Sequence, residues 1–502
     1  MLDIEGFRRA GYAAIDAICE YYARLDDLPV QAQVQPGFLM KQIPDSAPEE
    51  GEEWSAIDRD FHKERSLADL YASSVSNPGF NWSCSPSCTE LELITVDWWA
   101  KVLGLDPAFQ SNVPGSQGGG IIHGSASEVC ITIAIAARER VLAELAKTIP
   151  PPTVNGSRSA LPASANGMGC DIANELDVSR WRSDLTSRLV LYATTQTHSI
   201  AIKAASVLGL SFRALDVQAE DAYALRAHTL KAALDEDKEA GRIPFLLVLT
   251  VGTTSSGAVD NITEVVEVAR EYPNMWLHID AAYAGTALAL PELRESSHLA
   301  AINAHADSFS TNAHKWGLIQ LECSPLHVRD RGALTRALTV TPEFLRTKHG
   351  DAGDVLDLRN MQLSLGRRFR SLKLWFVLRS FGVKGLQDHL RHSIACAKLF
   401  EIAMRDDENP FEFVAPPRWS LVVFRLNPSR IKGQSLVLDD LNRRFMDRLN
   451  ARSAELMLTQ TVLPEIGVCI RYVVGQPGLR EHHVIKAFKI VKECAEETLQ
   501  AQ

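Results

Sequence analysis

The sequence has no apolar run long enough to cross a membrane; its longest, Phe245–Val251, suits a buried strand. No signal peptide is expected either, because the first 25 residues carry charges throughout and lack an uninterrupted apolar core. The nine cysteines include no CxxC pair. Three residues separate Cys84 from Cys88, but no second ligand pair follows at zinc spacing, so neither a disulfide framework nor a metal site is indicated. A reducing, cytoplasmic location is the simplest expectation. There is no basic stripe with interleaved aromatics. Lys and Arg total 52 against 62 Asp and Glu, a net charge of −10, which argues against a nucleic-acid surface. No internal repeat is present.

What the chain does have is ordinary globular composition, 46% hydrophobic and 23% charged, over 502 residues, too many for one core. Residues 5–25 read as an amphipathic helix and 31–53 as an extended, Pro- and acid-rich connector. Helical patterns follow at 89–104 and 128–146, around a polar, glycine-rich turn at 111–120. The Pro-, Ser-, Ala- and Gly-rich stretch 148–170 reads as a flexible surface insertion. Strands and helices then alternate: strands at 189–193, 243–251 and 275–279, helices at 199–208 and 262–271. That order implies a mostly parallel sheet flanked by helices. A helix at 370–404 leads to a small C-terminal α/β region, with strands at 420–426 and 467–473 and a closing helix at 483–499. The expected division is a 1–61 N-terminal segment, a 62–372 large domain and a 373–502 small domain.

Sites in parallel sheets lie at the carboxyl ends of the strands. His198, Thr254, Asp280 and Lys315 fall there. Each alone has a bland explanation: a surface lysine, a strand-end aspartate that caps a turn, a structural histidine. Together they match the needs of pyridoxal phosphate (PLP) chemistry: an amine to bind the cofactor, a carboxylate to keep its pyridine nitrogen protonated, and a flat side chain to stack on the ring. The phosphate needs backbone N–H groups at a helix start, which Gly124–Ser127 offers.

The motifs GSASE (124–128), QTHS (196–199), DAAYAG (280–285), NAHKW (312–316) and LGRRFRSLKLW (365–375) resemble those of the group II PLP decarboxylases, in particular aromatic-L-amino-acid decarboxylases. SPSCTELE (85–92) and GVKGLQ (382–387) extend the resemblance over nearly the whole chain. It implies an aspartate-aminotransferase-like fold and an obligate homodimer with the active site at the interface. It implies that Lys315 holds PLP as a Schiff base, Asp280 pairs with the pyridinium, Ala282 packs on one ring face and His198 stacks on the other and moves protons. Ser125, Ala126, Ser127, Asn312 and His314 surround the phosphate, Thr254 lies near cofactor and substrate, and Phe80 reaches the partner's site. The implied reaction is decarboxylation of an aromatic L-amino acid.

Two positions depart from the family pattern. Phe344 stands where the decarboxylases carry a loop tyrosine whose hydroxyl protonates the carbon that lost CO2. In the plant branch this exchange accompanies oxygen-dependent release of an aromatic acetaldehyde; otherwise Phe344 only packs the loop and another acid serves. Between Phe61 and Leu67 the family's aromatic pocket segment is missing. Either the pocket is built differently or the chain is a shortened form, and a pseudoenzyme or PLP-binding partner is the alternative reading. Gly366 goes with indolic substrates in plant relatives, or simply permits close backbone packing.

Overall fold

The computed structural model describes residues 4–23, 34–52, 57, 79–152, 172–406, 408–430 and 435–501. Most of the expected insertion, and the shortened stretch near Phe61, lie outside these residues.

Seven strands form the main sheet: β1 (Gly119–His123), β2 (Leu189–Thr194), β3 (Ser211–Leu215), β4 (Ile243–Thr250), β5 (Trp276–Asp280), β6 (Ser308–Ser310) and β7 (Ser324–Val328). Their order is β1-β7-β6-β5-β4-β2-β3, and β7 alone runs against its neighbours. β1 therefore points the same way as β4, β5 and β6, and the carboxyl ends of all four share one edge. The central strands β5 and β6 are buried at every position, and β4 is almost wholly apolar, because both faces are covered. In β4, Leu247 and Leu249 enter one buried cluster while Leu246 and Val248 enter the other. This is the two-residue alternation of an extended chain.

The sequence turn expected at 111–120 ends earlier than anticipated. Gly119 and Gly120 open β1, paired with Val328 and His327, because the partner strand, which local sequence does not reveal, supplies the ladder. The Ser371–Met404 helix is interrupted at Gly382, whose φ of 65° and ψ of 175° are non-helical. Any side chain there would overlap the backbone of Glu50 and Gly51. The N-terminal connector takes over at the break: Val383 and Lys384 N–H donate to the carbonyls of Pro48 and Glu49 at 3.0 Å.

A second, fully antiparallel sheet has the order β10-β11-β9-β8, from β8 (Phe411–Phe413), β9 (Leu421–Leu426), β10 (Thr459–Leu463) and β11 (Gly467–Val473). With the 371–404, 435–451 and 481–500 helices it encloses a separate core around Phe400, Phe424 and Phe445. None of the described helices is long and apolar enough to cross a membrane.

Candidate active site

Asp280 ends β5, paired with Thr250 and Ser310, so its backbone is fixed on both sides. Its side chain is 3% exposed, and Oδ1 accepts from Ala282 N–H at 3.1 Å. Burial pushes its carboxyl above the usual range, while Lys315, the Ala282 N–H and His198 pull it back. Both basic groups therefore lie within electrostatic reach of one buried carboxylate.

Lys315 sits in the short Ala313–Trp316 helix after β6. Its N–H donates to Asn312 O at 2.9 Å, and Asn312 N–H donates to Ala282 O at 3.1 Å, so the lysine turn is tied to the exit of β5. Lys315 is exposed in the single chain, yet the groups packed around it desolvate the amine and lower its pKa; Asp280 opposes this and Arg471 adds to it. A lowered lysine offers more of the neutral, nucleophilic amine near neutral pH.

Asn312 Oδ1 accepts from Ser324 Oγ at 2.8 Å, which locks the buried amide. His314 Nδ1 lies 2.9 Å from both the N–H and the carbonyl oxygen of Cys323, so the backbone of that residue fixes the ring. Burial lowers the His314 pKa.

The 23-residue Ala126–Thr148 helix begins at the same edge, and Ala126 shares a buried cluster with Ala282. Its N-cap, Ser125, accepts from Glu128 N–H at 3.2 Å. Ala126 and Ser127 occupy the first two helical positions, where an N–H has no intrahelical acceptor and is available to an anion.

The remaining expected residues are more dispersed. Thr254 is half-buried beside Thr253, whose hydroxyl holds the turn through Ser256 and Ala258. His198 is exposed and Phe80 half-buried. Gly366 is exposed, its carbonyl accepting from Gln362 Nε2 at 3.2 Å. Phe344 is 78% exposed in the single chain.

Two contributors escaped the sequence reading. Tyr283 stacks on Trp316 with ring centroids 5.6 Å apart, and its hydroxyl meets Ser420 Oγ at 2.9 Å, joining the lysine turn to the second sheet. It lies inside DAAYAG, but nothing in the motif marks it. Arg471 projects from β11 and acts electrostatically on both Lys315 and Tyr283. An arginine within the apolar run VCIRYV was the available signal.

Residues 64–157 and 171–427 match the pyridoxal-dependent decarboxylase conserved domain. The chain belongs to this decarboxylase family. It is 37% identical over 521 residues to phenylacetaldehyde synthase of Arabidopsis thaliana, covering 98% of this chain and 96% of the relative. The solved structure of Oryza sativa TDC with PLP and tryptamine superposes with a TM-score of 0.75 at 33% identity, over 99% of each chain. Rhodiola rosea 4-hydroxyphenylacetaldehyde synthase gives 0.70 at 30%, again over 99% of each chain. The decarboxylase is thus a carboxy-lyase with the fold of PLP enzymes, and its cofactor is PLP. The residues fit that group: a desolvated amine, a buried carboxylate at a strand end and a long helix starting beside them. The pseudoenzyme alternative draws no support from these relatives.

Proposed function

We propose that this decarboxylase acts on aromatic L-amino acids, tryptophan among them, and releases the aromatic acetaldehyde rather than the amine. The observation that supports the chemistry is the buried carboxylate of Asp280 at the end of β5, with the Lys315 turn tied to the exit of that strand through Asn312 and Ala282. Bound PLP supplies a sink for the electrons left when the Cα–carboxylate bond breaks. Lys315 holds the cofactor through its amine. Asp280 offers a buried carboxylate at the end of β5 to pair with the pyridinium nitrogen, and its Ala282 N–H bond keeps one oxygen aimed. Ala282 offers a small apolar floor, and His198 covers the opposite face and moves protons at the reacting carbon. The N–H groups of Ala126 and Ser127, with Ser125, Asn312 and His314, hold the phosphate, and Thr254 borders the substrate.

Phe344 decides the product in this reading. It has no hydroxyl and gives no proton, so oxygen reaches the electron-rich carbon instead. One amino acid, one oxygen and one water then yield one aldehyde, one CO2, one ammonia and one hydrogen peroxide. Its 78% exposure in the single chain fits a ring that acts across an interface. The working unit in this reading is a cytoplasmic homodimer, with Phe80 contributed to the partner's site and Gly366 leaving room for an indole. In this reading the chain divides into a 1–61 N-terminal segment, a 62–372 large domain and a 373–502 small domain.

The test is product analysis with purified protein, PLP and L-tryptophan, L-tyrosine, L-phenylalanine or L-DOPA. CO2 together with the aromatic acetaldehyde is expected. Amine alone would overturn the role given to Phe344. Bound PLP with no CO2 from any of the four would overturn the substrate class.

A further inference from the structure

The segment LGRRFRSLKLW carries cations that the chemistry above does not use. Arg367 is buried against Glu92. Lys373 Nζ donates to the carbonyls of Gln320 and Leu321, at 3.4 and 3.2 Å. Arg370 donates to Glu322 Oε1, from Nε at 3.2 Å and from its terminal NH2 at 2.8 Å. Glu322 immediately precedes Cys323, whose N–H fixes His314.

The other oxygen of Glu322 lies against the turn that opens the Ala126–Thr148 helix. A Cβ added at Gly124 would stand 2.6 Å from Glu322 Oε2 and 3.3 Å from Glu128 Oε2. Glu128 Oε2 also accepts from Gly124 N–H at 3.0 Å. The His123 imidazole, then the Gly124 N–H and Arg370, hold the Glu128 carboxyl down at about 2 against the opposing effect of burial. Two carboxylates thus flank Gly124, one residue before the N-cap. A dianion arriving at Ala126 and Ser127 would meet both charges, and beside two part-buried carboxylates that repulsion is substantial.

We propose that Arg370 is the charge-balancing residue of the phosphate seat, offsetting Glu322 beside Gly124 so that a dianionic phosphate ester can bind there. The proposal rests on the reading that the cofactor phosphate sits on Ala126 and Ser127. Arg370 acts through Glu322 and links the two halves of the seat, the Gly124 turn and the loop that carries His314.

The experiment uses full-length apoenzyme, titrated separately with PLP and with pyridoxal, which lacks the phosphate. Binding is read from cofactor absorbance and tryptophan fluorescence, so no turnover is involved. R370Q should weaken PLP on the order of tenfold or more, as for one uncompensated charge near a dianion, and leave pyridoxal unchanged. The double variant R370Q/E322Q should recover most of the loss, and R370K should keep most of the affinity. An equal loss for both ligands, or no recovery in the double variant, would overturn the proposal. E322Q alone keeps the test decisive even if R370Q does not fold. Relief of repulsion predicts PLP binding at least as tight as wild type, and weaker binding would contradict it. A wild-type apoenzyme with no preference for PLP over pyridoxal, and no competition by inorganic phosphate, would instead remove the seat itself and the proposal with it.

Discussion

Replacing Arg367 by methionine should destabilise the apoprotein far more than replacing Arg367 and Glu92 together. The two side chains are 1% and 0% exposed, and they pair across 275 residues of sequence. Glu92 Oε1 also accepts from Ile122 N–H at 2.8 Å, two residues before Gly124. Glu92 Oε2 and Arg367 Nε have no hydrogen-bond partner among the described residues. The pair is therefore incompletely satisfied, which limits what it adds to stability. Breaking it is another matter. R367M leaves a carboxylate in the core without its counter-charge, a loss of about 3–5 kcal/mol. Both R367M and the double variant E92M/R367M also leave Gln362 Oε1 without its Arg367 donor; beyond that shared loss, the double variant removes both charges and leaves the Ile122 N–H unpaired, about 1–3 kcal/mol. At roughly 2–4 °C per kcal/mol for a large domain, R367M should melt roughly 10 °C below wild type and the double variant should recover about half of that. Thermal unfolding of the three apoproteins measures it. An R367M midpoint within 2 °C of wild type on that scale, or a double variant at least as unstable as R367M, would refute the reasoning.

Other consequences follow from the same geometry. Asp280→Asn keeps an acceptor for the Ala282 N–H but removes the charge, so kcat should fall on the order of 10²–10³; steady-state kinetics showing less than a tenfold loss would count against the role of Asp280. Phe344→Tyr should shift product from aldehyde and peroxide to amine, read by chromatography of the reaction mixture; an unchanged product ratio would free Phe344 of that role. The Lys315 amine is lowered by burial, so the native apoprotein gives up this proton at lower pH than the unfolded chain. Its charged form costs stability at neutral pH, and the cost fades as pH rises toward the ordinary lysine range. Lys315→Met should therefore melt slightly higher than wild-type apoprotein at pH 7, with a gap that narrows toward pH 10; a gap that widens with pH would reverse the sign of this effect.

The parts of the fold that the sequence revealed are those whose pattern is local. β4 reads as FLLVLT because it is covered on both faces, and the helix closing at Gly209 ends on a residue with a φ of 64°. β3 (SFRAL) was missed because it is the sheet edge, with Ser211 and Ala214 exposed and no apolar run to announce it. The 227–239 helix escaped because only Leu230, Ala233, Leu234 and Asp237 face inward, and charge dominates the rest. In the site, Asp280 and Lys315 were legible as strand-end residues in distinctive motifs. Glu322 and Arg370 were not, because their meaning depends on Gly124, roughly two hundred residues away in sequence and adjacent only in space. The same holds for Tyr283, whose partner Ser420 lies in the turn just before β9 of the other sheet.

The central claim is that this decarboxylase diverts the carbon that lost CO2 toward oxygen. Oxygen uptake recorded alongside CO2 release, with purified holoenzyme and L-tryptophan or L-phenylalanine, tests it most directly. The account predicts one oxygen consumed for each CO2 released, with aldehyde and peroxide in equal amounts. CO2 release with amine and no oxygen uptake would contradict it.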